Sequence, residues 1–178
     1  TVAAFPPVLA GIDKVAINLS GSSLSNPQLY DLVRQTLAAS GLPPGLICLE
    51  ITETAGIVQR APAIALLSRL RSLGLATSLD DFGTGLASFD YLTSLPLDYV
   101  KIDGRFIRNV QHDRVSLSVV TAVCSVARVM KLKTIAEFVE TSQQRTLLEN
   151  CGVDYVQGYG IGKPVFLVDY LRSLAVQR

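Results

Sequence analysis

The chain has 178 residues, with 16 Lys+Arg against 15 Asp+Glu, 49% apolar residues and a mean hydropathy of +0.37. This length and composition suit one domain with a sizeable core and exclude a disordered chain, while the near-balanced charge excludes a bulk basic field for DNA. Three scattered cysteines, Cys48, Cys124 and Cys151, exclude a disulfide framework and a Cys-x-x-Cys zinc site, which favours a reducing, cytoplasmic setting.

Lys14–Leu19 predicts a strand, and Ser25-Asn26-Pro27 starts a helix over Gln28–Ser40 that Gly41 ends. Leu46–Ile51 predicts a second strand. Ala61–Leu73 predicts a helix with Ile64, Leu67, Leu70 and Leu73 on one stripe, closed by Gly74. Ala76–Leu79 is a third strand, Ser88–Ser94 a short helix stopped before Pro96, and Asp98–Ile102 a fourth strand. Asp113–Met130 is the longest helix; its apolar positions run nearly all round, which predicts that it is well buried. The apolar part of it, Leu117–Met130, is too short to span a membrane, and no signal peptide is legible. A strand over Lys133–Ala136, a helix over Ser142–Asn150, a short strand at Tyr155–Val156 and a helix over Val168–Ala175 complete the chain. Strand–helix alternation of this kind predicts a parallel sheet, with strands apolar on both faces beneath covering helices. The chain opens at Thr1 without Met and reads as a piece of a longer protein.

Polar residues recur where the apolar runs end: Asn18, Glu50, Asp80 and Asp81, Lys101 and Asp103, Glu137 and Glu140, and Gln157. Ligand groups of an open doubly wound sheet collect at one switch point, whereas a barrel brings every carboxyl end to one rim. Six contributing strands favour a (β/α) barrel. Strands also turn polar simply on leaving the core, which accounts for Asp98 and Asp154. It accounts poorly for Glu50 and Glu137, which sit between apolar neighbours where a lone carboxylate is costly.

Glu50, Asp80, Asp81 and Glu137 at one rim set four carboxylates against the single Lys101. Such a group repels itself unless hard divalent cations join it, and carboxylates with an Asn carbonyl suit Mg2+ or Mn2+. Asp80 could bridge two ions, and Lys101 could orient a water or stabilise charge. The chemistry this points to is metal-dependent hydrolysis of a phosphate ester. Other motifs carry less. Phe82-Gly83-Thr84-Gly85 follows two aspartates and lacks the dinucleotide fingerprint. Gly158, Gly160 and Gly162 lead to Pro164 and read as a bent loop. His112, the one histidine, lies in a polar stretch, so a Ser/His or Cys/His triad is excluded. Cys48 reads as a core thiol.

The runs INLS (17–20), LEITET (49–54), SLDDFGTGLASFDYL (78–92), LDYVKIDGRFI (97–107), TIAEFVET (134–141) and DYVQGYGIGKP (154–164) resemble the EAL domain family of cyclic di-GMP phosphodiesterases. The resemblance implies an α/β, modified (β/α)8 TIM-like barrel that linearises cyclic di-GMP to pGpG with two Mg2+ or Mn2+ ions. It implies a first metal on Asn18, Glu50 and Asp80 and a second on Asp80, Asp81 and Glu137. Lys101 would contact the nucleophilic water, Glu140 and Gln157 would complete the water and ligand network, and Glu53 would anchor the loop Asp81–Ser88. It further implies a homodimer through the loop after Asp81 and a fused sensory or diguanylate cyclase domain in the parent protein.

Three positions depart from the family pattern. The name-giving Glu-Ala-Leu segment is absent; six strands are present where the family has eight, and such barrels run to roughly 250 residues. Residues 1–178 therefore read as a single EAL-type domain lacking its N-terminal portion, with the first two strands absent. Phe138 stands where the family usually has Gly, beside Glu137, and Leu86-Ala87 replaces the usual Tyr-Ser. Against the enzyme stand two rivals: a catalytically inactive cyclic di-GMP receptor, and a ligand-free dimerisation fragment.

Overall fold

Six strands form one parallel sheet in the computed structural model, which describes residues 12–83 and 89–176. They are β1 (Val15–Leu19), β2 (Ile47–Thr52), β3 (Ala76–Phe82), β4 (Tyr99–Ile102), β5 (Lys133–Ala136) and β6 (Tyr155–Val156). Their order in the sheet is their order in the chain, each neighbour parallel. Every crossover thus steps the same way round. That is the winding of a (β/α) barrel, not of a sheet that reverses at a switch point. Among the described residues β1 and β6 are paired on one side only, so these strands make a partial TIM-like barrel.

Nine α-helices lie between and after the strands among the described residues: α1 (Gly21–Leu24), α2 (Leu29–Ser40), α3 (Glu53–Val58), α4 (Arg60–Ser72), α5 (Phe89–Ser94), α6 (Gly104–Arg108), α7 (Arg114–Val129), α8 (Ser142–Cys151) and α9 (Leu167–Val176). Their ends follow local chemistry. Gly41 closes α2 in the left-handed region at φ 65°. Asp113 caps α7 by accepting from the Val115 and Ser116 amides. Thr141 and Gln144 form a reciprocal capping box at α8.

The period of two in each strand decides what faces where. Leu49, Ile51, Leu79, Val100, Ile102 and Ala136 face the helices and join Leu67, Leu70, Val120, Val123, Ala127 and Leu148 in one core. Each fully buried aliphatic side chain there contributes about 1.5–3 kcal/mol. The residues between them, among them Glu50 and Lys101, face the barrel interior.

A repeated device fixes the strand starts. Asp98, just before β4, accepts from both the amide (2.9 Å) and hydroxyl (3.2 Å) of Thr77 on β3, and pairs with Arg71 at 2.6 Å. Asp154, just before β6, accepts from the amide (2.9 Å) and hydroxyl (3.0 Å) of Thr134 on β5, and pairs with Lys133 at 2.6 Å. Both open an Asp-Tyr-Val run, so the same three residues clamp two different strand pairs. Asp98→Ala is expected to cost about 1–3 kcal/mol in urea unfolding, because it strands the buried Thr77 amide, while the hydroxyl keeps the Pro96 carbonyl as acceptor; an unchanged midpoint would show that the clamp is idle.

Two sequence expectations need correction. First, α7 is not buried all round. Its buried residues, Ser116, Val120, Val123, Cys124 and Ala127, form a single stripe, while Val115 and Val129 are 69% and 84% exposed. Small apolar residues mixed with Ser118, Thr121 and Ser125, whose hydroxyls bond carbonyls four residues back, make an outer face that water tolerates. Second, β1 is not apolar and covered on both faces: Ala16, Ile17 and Asn18 are exposed at the sheet edge. The short helices α1, α3 and α6 have too few turns to produce a legible period. Leu86-Ala87 and the rest of 84–88 lie outside the described residues, as do residues 1–11.

Candidate metal centre

Register brings the predicted rim residues together. Asn18 on β1 is the pairing partner of Glu50 on β2, with its side chain exposed. Glu50 (7% exposed), Lys101 (5%) and Glu137 (6%) are buried at the strand ends. The Lys101 ammonium sits among three carboxylates, 3.3 Å from Glu50, 2.9 Å from Asp80 and 2.9 Å from Glu137. One carboxylate oxygen each from Asp80, Asp81 and Glu137 lie within 4.8 Å of one another. Asp81 reaches that group from a left-handed backbone at φ 57°, a conformation Asp tolerates better than most, and its amide donates to the Asp80 carboxylate at 2.9 Å.

The surrounding residues hold this group. Gln157, following β6, donates from Nε2 to Glu137 Oε1 at 2.9 Å. Glu53, completely buried at the start of α3, accepts from the Gly83 amide at 2.7 Å, which ties the segment after Asp81 to the barrel. Glu140 is exposed in the cleft beside Glu137; its amide donates to Gln144 Oε1 at 2.8 Å. Asp103, also at a strand end, has a local task instead: it caps α6 by accepting from the Arg105 amide at 2.8 Å. The bent loop after Gln157 packs directly on the Glu137–Glu140 segment. The amide of Val139 donates to the Gln157 carbonyl at 3.0 Å, and a Cβ on Gly158 would strike the Val139 backbone.

Burial pushes the Glu50 carboxyl above its ordinary value and the Asp80 charge pushes it further, against the pull of Lys101. Burial likewise raises Glu137, with Lys101 opposing and Asp80 and Asp81 adding to the rise. Asp81 is raised by burial, then by Asp80 and Asp103. For Lys101, burial lowers the pKa, but hydrogen bonds to Asp80 and Glu137 and the charges of Glu137 and Glu50 more than offset it. Burial is the first cause of the three raised carboxyls, and the single ammonium shared among them opposes the rise without cancelling it, while those carboxylates hold Lys101 charged. Cys48, inside β2, is a buried thiol pushed up to about 12 by burial first and Glu50 second, so it is inert.

The donor set fits hard divalent cations: carboxylate oxygens, preassembled, partly buried and short of positive charge. Because Glu50 and Glu137 bind protons more tightly folded than unfolded, the stability they contribute is greatest below the ordinary value of 4.5 and is lost as pH rises through their native values. A metal competes with those protons. Calorimetric titration of Mn2+ into the full-length protein at about pH 7.5 and about pH 5.5 is therefore expected to show weaker binding at the lower pH; equal affinities would contradict it.

Phe138 does not displace the carboxylates. Its ring lies over Gly104 and under Arg108, and the three acidic residues converge with the ring in place. Sequence reading missed Arg108, which carries no motif, and Ser78 on β3, the pairing partner of Glu50, whose buried hydroxyl has no hydrogen-bond partner among the described residues.

The chain matches the EAL domain model over residues 3–164, and it belongs to the EAL domain family. It is 41% identical over 156 residues to the cyclic di-GMP phosphodiesterase PdeB of Shewanella oneidensis, an alignment covering 88% of this chain and 18% of that protein. The EAL domain of Mycobacterium smegmatis DcpA superposes with a TM-score of 0.88 at 32% identity, covering 99% of this chain and 81% of that one. Klebsiella pneumoniae BlrP1 in a manganese/cy-diGMP complex superposes with a TM-score of 0.81 at 28% identity, covering 88% and 40%. The chain spans about a fifth of the length of the curated relatives it matches. Among the described residues no helix is long and apolar enough to cross a membrane.

Proposed function

We propose that the parent protein hydrolyses one phosphodiester of cyclic di-GMP to give linear pGpG, and that residues 1–178 form a single EAL-type domain lacking its N-terminal portion. The observation that carries this reading is the buried ammonium of Lys101 held by Glu50, Asp80 and Glu137, with Asp81 joining Asp80 and Glu137 in a three-carboxylate group. Family membership and relatives named for this reaction support the substrate.

Asn18, Glu50 and Asp80 would hold one Mg2+ or Mn2+, and Asp80, Asp81 and Glu137 the other. Bound there, the ions supply an activated water and charge neutralisation on the phosphate. The chain's own residues set the geometry. Lys101 stays charged at neutral pH and faces the carboxylates, where it can orient that water and stabilise developing negative charge. Gln157 holds Glu137 in one orientation through its amide nitrogen. Glu140 lies exposed in the adjoining cleft, positioned to hold ordered water or ligand. Glu53 anchors the start of the loop Asp81–Ser88 through Gly83.

Among the described residues β1 and β6 are each paired on one side; two further strands of the parent protein would pair there, and one would bring a further first-metal ligand. The share of relatives that the chain leaves uncovered has room for a sensory or diguanylate cyclase domain. A cytoplasmic site of action and a homodimer through the loop after Asp81 belong to the same proposal; residues 84–88 of that loop lie outside the described ones. The test is direct. Full-length protein with Mg2+ or Mn2+ should convert cyclic di-GMP to pGpG and stop when the metal is chelated; binding without turnover, or no binding, would contradict the reading.

A further inference from the structure

We infer that Arg108, held over the Phe138 ring, reads a guanine base in the cleft beside Glu137, an inference that rests on the cyclic di-GMP reading above. The cleft has a volume of about 610 Å³ and is lined by Arg108, Glu137, Phe138, Glu140, Gln157 and Pro164 among others. It shares Glu137 with the carboxylate group, so a ligand whose phosphate lies on the acidic residues can place a neighbouring base here.

The backbone at Phe138 is specially built. Phe138 is one of three non-glycine residues at positive φ among the described residues, at 54°, and a bulky side chain there costs energy. Its ring is accommodated only because residue 104 is glycine: a Cβ on Gly104 would overlap the ring, meeting Cγ at 2.7 Å. Gly104 covers one side, and the Arg108 guanidinium lies 4.1 Å from the ring centroid. Phe138 is still 46% exposed.

Arg108 is held and yet unspent. Gln144 donates from Nε2 to the carbonyls of Ile107 (3.3 Å) and Arg108 (3.4 Å), which pins the end of α6 to the start of α8. Its neighbour Arg105 lies near the Asp103 carboxylate at 3.6 Å, but no carboxylate among the described residues pairs with Arg108. A guanidinium is planar by its own delocalisation, and one held over a ring offers a stacking face and a fork of donors. Guanine presents two acceptors, O6 and N7, to such a fork. Adenine presents a donor in place of O6 and is rejected.

The test compares cyclic di-GMP with cyclic di-AMP on the full-length protein. Arg108→Lys keeps the charge and loses the plane and the fork; Phe138→Leu removes the platform. Each is expected to raise KM for cyclic di-GMP about tenfold, with a smaller change in kcat, and to lower the preference for cyclic di-GMP over cyclic di-AMP by a similar factor. An unchanged KM and preference in Arg108→Lys and Arg108→Ala, or an equal loss for both nucleotides, would overturn it. If the protein binds cyclic di-GMP without cleaving it, the hydrolysis reading fails while the ratio of calorimetric Kd values decides this inference in the same way. If it binds neither nucleotide with metal present, both fall.

Discussion

Asp80→Ala in the full-length protein is expected to lower cyclic di-GMP turnover by at least about 10³-fold while leaving the protein folded. The size follows from how many contacts meet at one carboxylate. Asp80 lies 2.9 Å from Lys101, accepts from the Asp81 amide at 2.9 Å, and belongs to the group within 4.8 Å that includes Asp81 and Glu137. It is also the residue proposed to touch both ions, so its loss removes a ligand from each at once. Asp80→Asn keeps the shape and an oxygen for the Asp81 amide but loses the charge; a comparable loss is expected, since charge is what holds two cations close together. Chromatography of pGpG formation, with a melting curve for each variant, measures both. Retention of more than about a tenth of the activity in Asp80→Ala would show that Asp80 does not bridge.

Lys101→Met is expected to destabilise the metal-free protein by about 3–5 kcal/mol, the cost of removing the one buried partner from a charged group. Glu50 and Glu137 are 7% and 6% exposed and lose their shared counter-ion together. Both already have raised pKa values with Lys101 present, so without it they take up protons more readily still. The variant should therefore recover stability on acidification, and Mn2+ should restore more stability to it than to the unsubstituted protein, because a cation fills the role the ammonium held. Thermal and urea unfolding in the presence and absence of chelator measure this. A variant as stable as the parent in chelator would show that the ammonium does not hold the carboxylates together.

Much of this architecture was legible in the sequence because the two periods differ. KVAINL, LICLEI and DYVKI are too short and too rich in branched residues for helices, and the observed strands fall within a residue or two of them. The winding was legible from the polar residue closing each run, since only a common rim gives six strands the same ending. Glu50 and Glu137 stood out because carboxylates between apolar neighbours need a partner, and the structure brings both to Lys101. The remainder depended on contacts that no local pattern encodes. The lone stripe of α7 is set by which face meets β4 and β5, not by its composition. Asp98 and Asp154 read as ordinary strand exits, yet each clamps a threonine about 20 residues away in sequence. Nor does any local pattern place the Phe138 ring: its left-handed backbone and the close approach of Gly104 set it against Arg108.

In the proposed mechanism, acidic residues distant in the chain share two cations at one barrel mouth. Anomalous diffraction from Mn2+-loaded crystals of the full-length protein tests it most directly. The expected result is two peaks about 4 Å apart with Asp80 between them, Glu50 on one side and Asp81 and Glu137 on the other. A single peak away from these residues, or no metal at the mouth in saturating Mn2+, would contradict the account.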